Sequence, residues 1–103
     1  MNLEEVREHI DRIDAQLIKL FNERLDLAPH VVKAKLEMGK PVFDPGRERD
    51  KLAGIAHAAP QDRQAQLISL FSLLMNMNKI EQNRYLASLD QKPQSKRAIN
   101  TLL

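Results

Sequence analysis

Apolar residues repeat as heptads from the start of this chain to a glycine at position 39, and that repeat is longer than a small folded unit can hide. Ile10, Leu17 and Val31 share one heptad position; Ile13, Leu20, Leu27 and Ala34 share another. The pattern predicts one helix over residues 3 to about 39, about 55 Å long at a rise of about 1.5 Å per residue. The chain has 103 residues. A compact domain of about 100 residues has a radius of gyration of about 13 Å. The helix therefore cannot bury its stripe within its own copy, and an oligomer is expected, most simply a dimer in which long helices pair.

The remaining composition agrees with helix throughout. Glycine is sparse, and Leu, Ala, Glu, Lys, Arg and Gln are plentiful. With no Trp, one Tyr and three Phe, the core must be aliphatic. The absence of cysteine excludes disulfides, thiol chemistry and Cys–zinc sites. His9, His30 and His57 lie too far apart in sequence to suggest a metal set. The net charge is +2 with the two signs mixed along the chain, which argues against a nucleic-acid binder. The acidic start lacks the apolar core of a signal peptide, and no run approaches a membrane span. A cytoplasmic protein is the expectation.

Along the chain, Asn2 is a candidate N-cap, with Glu4 and Glu5 placed well against the helix dipole. Gly39 and Pro41 end the first helix. Pro29 removes a helical hydrogen bond and predicts a kink centred near Leu25 to Pro29. The kink is favoured over a full break, which would spoil the alignment of Arg24 with Lys35, because the apolar pattern continues in phase through Val31 and Ala34. Residues 40–44 read as a connector. Asp44 then caps a second helix with Pro45 at its first position, running to about Ala58. Ala59-Pro60 breaks it. A third helix follows from Gln61 or Asp62 to about Leu89. These elements form one domain, 1–90, and residues 91–103 read as a flexible tail.

Polar groups interrupt the inward faces. Arg24 occupies a core heptad position, and Lys35, eleven residues or about three turns later, points nearly the same way. Two cations on an apolar stripe need an anion to meet them. On the third helix the stripe through Phe71 and Leu74 continues into Asn78, Gln82 and Tyr85. Asp44, Arg47 and Glu48 cluster at the positive end of the second helix, where Arg47 opposes the dipole. No Cys nucleophile, Ser-His-Asp arrangement or Gly-rich phosphate loop accompanies this set. It suits a small polyanion, or chemistry that needs electrostatic shaping rather than a nucleophile.

Each piece also has a structural reading. Arg24 could neutralise an interface carboxylate, and Lys35 could snorkel to solvent. Asn78 and Gln82 could set helix register, Asp44 could serve only as a cap, and Arg47 and Glu48 could be a solvated pair. The residues alone carry the argument as far as a dimeric helical bundle with a polyanion pocket.

Taken together the residues resemble the all-helical chorismate mutase family in its small intracellular bacterial form. The resemblance spans roughly residues 3–86. It rests on the run Val6 to Asp14, on Glu23 to Ala28, on Val32 to Lys35, on Pro41 to Glu48, and on Phe71, Asn78 and Gln82. It implies an all-α fold: an intertwined helical homodimer of three-helix subunits, each with one long N-terminal helix. The implied reaction is the pericyclic rearrangement of chorismate to prephenate, on the route to phenylalanine and tyrosine, with no cofactor and no metal. The implied catalytic residues are Lys35, Gln82 and Arg24. Arg24 would bind one substrate carboxylate and Arg7 of the partner subunit the other. Lys35 and Gln82 would meet the ether oxygen, with Lys35 also reaching a carboxylate. Glu48 and the backbone at Asp44 would hold the ring hydroxyl, and Arg47 and Asn78 would support the carboxylates. Spacing independently favours a site split between subunits, because Arg7 and Arg24 lie about 25 Å apart along a straight helix.

Some residues depart from the family pattern. Pro29 lies inside the first helix, Asn78 stands where Ser is frequent, and Lys79 stands where an apolar residue is common at the pocket edge. Rival readings within the same fold are an isochorismate-pyruvate lyase and an aminodeoxychorismate mutase. A rival of another class is a non-catalytic helical dimer that serves as a partner-binding module.

Overall fold

A computed structural model describes residues 1–90; the expected tail, 91–103, lies outside the described residues. The chain is all-α. Helix α1 spans Leu3–Asp26, α2 spans Ala28–Glu37, α3 spans Pro45–Ala58, and α4 spans Gln64–Asp90 after a 3₁₀ turn at Gln61–Arg63. No strand occurs among the described residues.

α1 opens as its sequence requires: Asn2 Oδ1 accepts the Glu5 N–H at 2.8 Å, and Glu4 and Glu5 fill the first turn. The long first helix is interrupted at one residue, Leu27. Pro29 has no N–H to give, and its ring would crowd the carbonyl four residues back. The chain resolves this by starting a new helix, with Pro29 in the first turn of α2, where an N–H has no helical partner anyway. Leu27 keeps φ −78° and ψ −14°. Its N–H reaches Arg24 O at 3.3 Å and its carbonyl accepts from Val31 N at 3.0 Å. The helical hand is thus carried across the interruption, where the kink was expected.

α2 closes in a Schellman motif. Gly39 takes φ 65°, the left-handed region that glycine enters without steric cost. Its N–H binds Leu36 O at 3.1 Å, and the Lys40 N–H binds Lys35 O at 2.9 Å. This turn sends the connector back over the face that carries Lys35. α3 starts as expected, with Asp44 Oδ1 accepting the Arg47 N–H at 3.1 Å and Pro45 in the first turn. After Pro60 the chain makes a tighter 3₁₀ turn, closed by Arg63 N–H to Pro60 O at 2.9 Å. Gln64 Nε2 then donates to Ala56 O at 2.8 Å and ties the start of α4 to the end of α3.

α4 is the packing partner of both α2 and α3. α1 runs largely clear of them. Among the described residues only Ala28 and Val32 are buried apolar side chains. The heptad stripe of α1 faces outward, with Leu17 and Leu20 at 55 % and 58 % exposure. The radius of gyration is 19.3 Å, well above the value of about 13 Å for a compact chain of about this length.

Candidate active site

One cavity, about 570 Å³ in volume, opens where α2, the connector, α3 and α4 converge. Its floor is apolar: Leu27 and Val31 come from one side, Phe71 and Met75 from α4. Its polar lining comes from every surrounding element. Arg24 and Lys35 line it on either side of the Leu27 interruption, as their eleven-residue spacing predicts. Asp44, Arg47 and Glu48 enter from the start of α3, and Asn78 and Gln82 from α4. Seven of the eight candidate residues thus share one cavity. The eighth, Arg7, is exposed on the second turn of α1 and does not line it.

The side chains of Arg24 and Lys35 each donate to a backbone carbonyl rather than to a carboxylate. The Arg24 guanidinium donates to Leu74 O at 3.3 Å, and the Lys35 ammonium donates to Val42 O at 2.8 Å. Arginine carries five N–H donors and lysine three, so both retain donors for a ligand. Asn78 Nδ2 donates to Arg24 O at 3.3 Å, the same carbonyl that accepts from Leu27 N–H at the interruption. Gln82 Nε2 donates to Asn78 Oδ1. One chain of bonds therefore runs from the Pro29-induced break through Asn78 to Gln82 and fixes the Gln82 amide. Nothing buried is left without a partner among the described side chains.

The lining includes residues that sequence reasoning did not place as site groups. Lys51 lies one turn beyond Arg47, a spacing that would have revealed it. The Val42 carbonyl and the Phe43 ring come from the connector, whose path no periodicity predicts. Lys79 forms an ion pair with Glu48, Nζ to Oε1 3.0 Å. Among the described lining residues there are five cations, Arg24, Lys35, Arg47, Lys51 and Lys79, against the carboxylates Asp44 and Glu48. Such a cavity favours a compact dianion.

The model of the type II chorismate mutase family matches residues 6–83. The chain belongs to the type II chorismate mutase family. A chorismate mutase from Methanocaldococcus jannaschii is 34% identical over 93 residues, covering 87% of this chain and 93% of that relative. Bifunctional chorismate mutase/prephenate dehydratases match over a shorter stretch. The one from Aquifex aeolicus is 42% identical over 48 residues, and the one from Escherichia coli 49% identical over 47. These cover 47% and 46% of this chain but 13% and 12% of those longer relatives. No solved structure matches. Chorismate mutases are isomerases, and the chain is an enzyme of that class. No helix among the described residues is long and apolar enough to cross a membrane.

Proposed function

We propose that this protein converts chorismate to prephenate in the cavity between α2, α3 and α4, in the shikimate-derived route to phenylalanine and tyrosine. The observation that carries the reading is the convergence of Arg24, Lys35, Asn78 and Gln82 on one cation-rich cavity, in a chain of this family. The reaction is intramolecular: an ether C–O bond breaks as a C–C bond forms, with no proton transfer and no covalent enzyme intermediate. The protein must then hold the compact diaxial conformer and stabilise the negative charge that grows on the ether oxygen.

In this reading Arg24 binds one carboxylate, supported by Arg47 and Asn78. Lys35 and Gln82 donate to the ether oxygen, and Lys35 also reaches a carboxylate. Glu48 and the Asp44 backbone receive the ring hydroxyl. Two bonds support the preorganisation: Lys35 is anchored by Val42 O and Gln82 by Asn78, so neither donor must be recruited when the oxygen charges. The second carboxylate falls to Arg7 of a partner subunit, in a homodimer that covers the exposed α1 stripe. Residues exposed along α1, among them Ile10, Ile13, Leu17 and Leu20, support that assembly. A chain without cysteine is in keeping with the cytoplasm.

The test is to incubate the purified protein with chorismate and identify the product. Prephenate is expected. Turnover of isochorismate or aminodeoxychorismate in its place would shift the reading to a rival chemistry of the same fold, and no turnover of any of the three would leave the partner-binding reading.

Because an amide does not titrate, the Gln82 contribution is expected to be independent of pH. Gln82→Glu replaces that donor with a carboxyl that donates only when protonated. Its rate should then fall by up to about tenfold per pH unit above the carboxyl pKa, ordinarily about 4.3. A pH–rate profile of this variant parallel to that of the parent would remove Gln82 from the ether oxygen.

A further inference from the structure

Lys79 has no part in the roles assigned above, yet it lines the cavity. Its Nζ lies 3.0 Å from Glu48 Oε1 and 3.3 Å from Oε2. The same ammonium sits 5.8 Å from the centroid of the Phe43 ring, in cation–π range. Lys79 therefore joins α4 to both α3 and the connector. The two side chains are 38% and 29% exposed, so the pair stands at the rim, partly shielded from water.

The charge state of the Glu48 subsite follows from this contact. An unpaired carboxylate can accept a hydrogen bond from a hydroxyl, but it binds an ammonium more strongly because the contact is also ionic. Glu48 has its negative charge already met by Lys79. Its oxygens keep free lone pairs, since a carboxylate has about four acceptor sites. A neutral hydroxyl can still donate to it. A second ammonium would share the carboxylate with Lys79 and meet like-charge repulsion in a cavity that also holds Arg47 and Lys51.

We propose that Lys79 is a specificity-determining residue, which sets Glu48 to receive a neutral ring hydroxyl and to reject substrates that carry a protonated amine at that ring position. The inference rests on the proposed function, in which Glu48 faces the ring hydroxyl. It separates chorismate from aminodeoxychorismate by charge rather than by shape.

The experiment compares kcat/KM for chorismate and for aminodeoxychorismate in the parent protein, Lys79→Met and Lys79→Arg. Methionine keeps an unbranched stem and removes the charge; arginine keeps the charge. The amine-to-hydroxyl ratio should rise about tenfold in Lys79→Met, a size that allows for partial solvent screening. It should stay near the parent value in Lys79→Arg. The gain in Lys79→Met should shrink as salt is added. A tie that merely holds the rim in shape would lower both substrates in proportion and leave the ratio unmoved. Equal ratios in the parent and Lys79→Met would overturn the proposal while leaving chorismate turnover standing. If Lys79→Met does not fold, Lys79→Gln is judged on the same ratio. A parent protein inactive on chorismate would overturn the proposed function, and this inference with it.

Discussion

Lys35→Ala is expected to lower kcat/KM for chorismate by about 10²–10³-fold, the loss typical of removing one donor from a developing oxyanion. The Lys35 ammonium is anchored by Val42 O at 2.8 Å and lines the same cavity as Gln82. Alanine removes both the charge and the donor, and nothing else on α2 can replace them: Lys33 is directed elsewhere, its Nζ 5.7 Å from the Tyr85 ring centroid. The loss should appear in kcat as well as in KM, since the charge on the ether oxygen grows only towards the transition state. Arg24→Ala should be comparably damaging but weighted towards KM, because a carboxylate is charged in substrate and transition state alike. Both variants should stay helical, each losing one hydrogen bond to a backbone carbonyl, a cost of about 1 kcal/mol. Steady-state kinetics alongside circular dichroism checks this. Near-parent kinetics in either folded variant would strip that residue of its role.

The second large effect is a rescue. Arg7→Ala and Lys35→Ala should each be nearly inactive alone, yet mixing them should restore activity once subunits have exchanged. A hybrid dimer joins one intact Lys35 to one intact Arg7 in one of its two sites and both substitutions in the other. In an equal mixture about half of the dimers are hybrids, so about a quarter of parental activity is expected from two-fold symmetry. The structural grounds are that Arg7 does not line the cavity of its own chain. It stands about 25 Å from Arg24 at the rise of a helix. Mixtures that stay inactive after exchange has been demonstrated, for instance by native mass spectrometry of tagged subunits, would refute the shared site.

Most of the fold was legible because its signals are local. Asn2, Gly39, Asp44-Pro45 and Ala59-Pro60 mark helix ends by backbone chemistry that acts within a few residues. Pro29 was legible as a disturbance, but the side chain that meets the resulting break comes from far along the chain: Asn78 donates to Arg24 O across fifty-four positions. The 3₁₀ turn at Gln61–Arg63 differs from the α-helical start expected there, and nothing in those residue types forbids either form. At the site, helical spacing aligned Arg24 with Lys35 and Asn78 with Gln82. It could not reveal the Lys79–Glu48 pair, which lies thirty-one positions apart and depends on how α3 crosses α4. It was equally blind to the Val42 carbonyl, since a connector has no period to read.

The scarcity of interior has a consequence for how this chain acquires its structure at all. With Ala28 and Val32 as its buried apolar residues among those described, a single copy has little fully buried apolar surface to set against the entropy of ordering its helices. If a second copy supplies the missing burial, folding and association are one event, governed by mass action. Stability then has no value apart from a protein concentration: dilution would act as a denaturant, and the midpoint of thermal unfolding would climb with every increase in the amount of chain present.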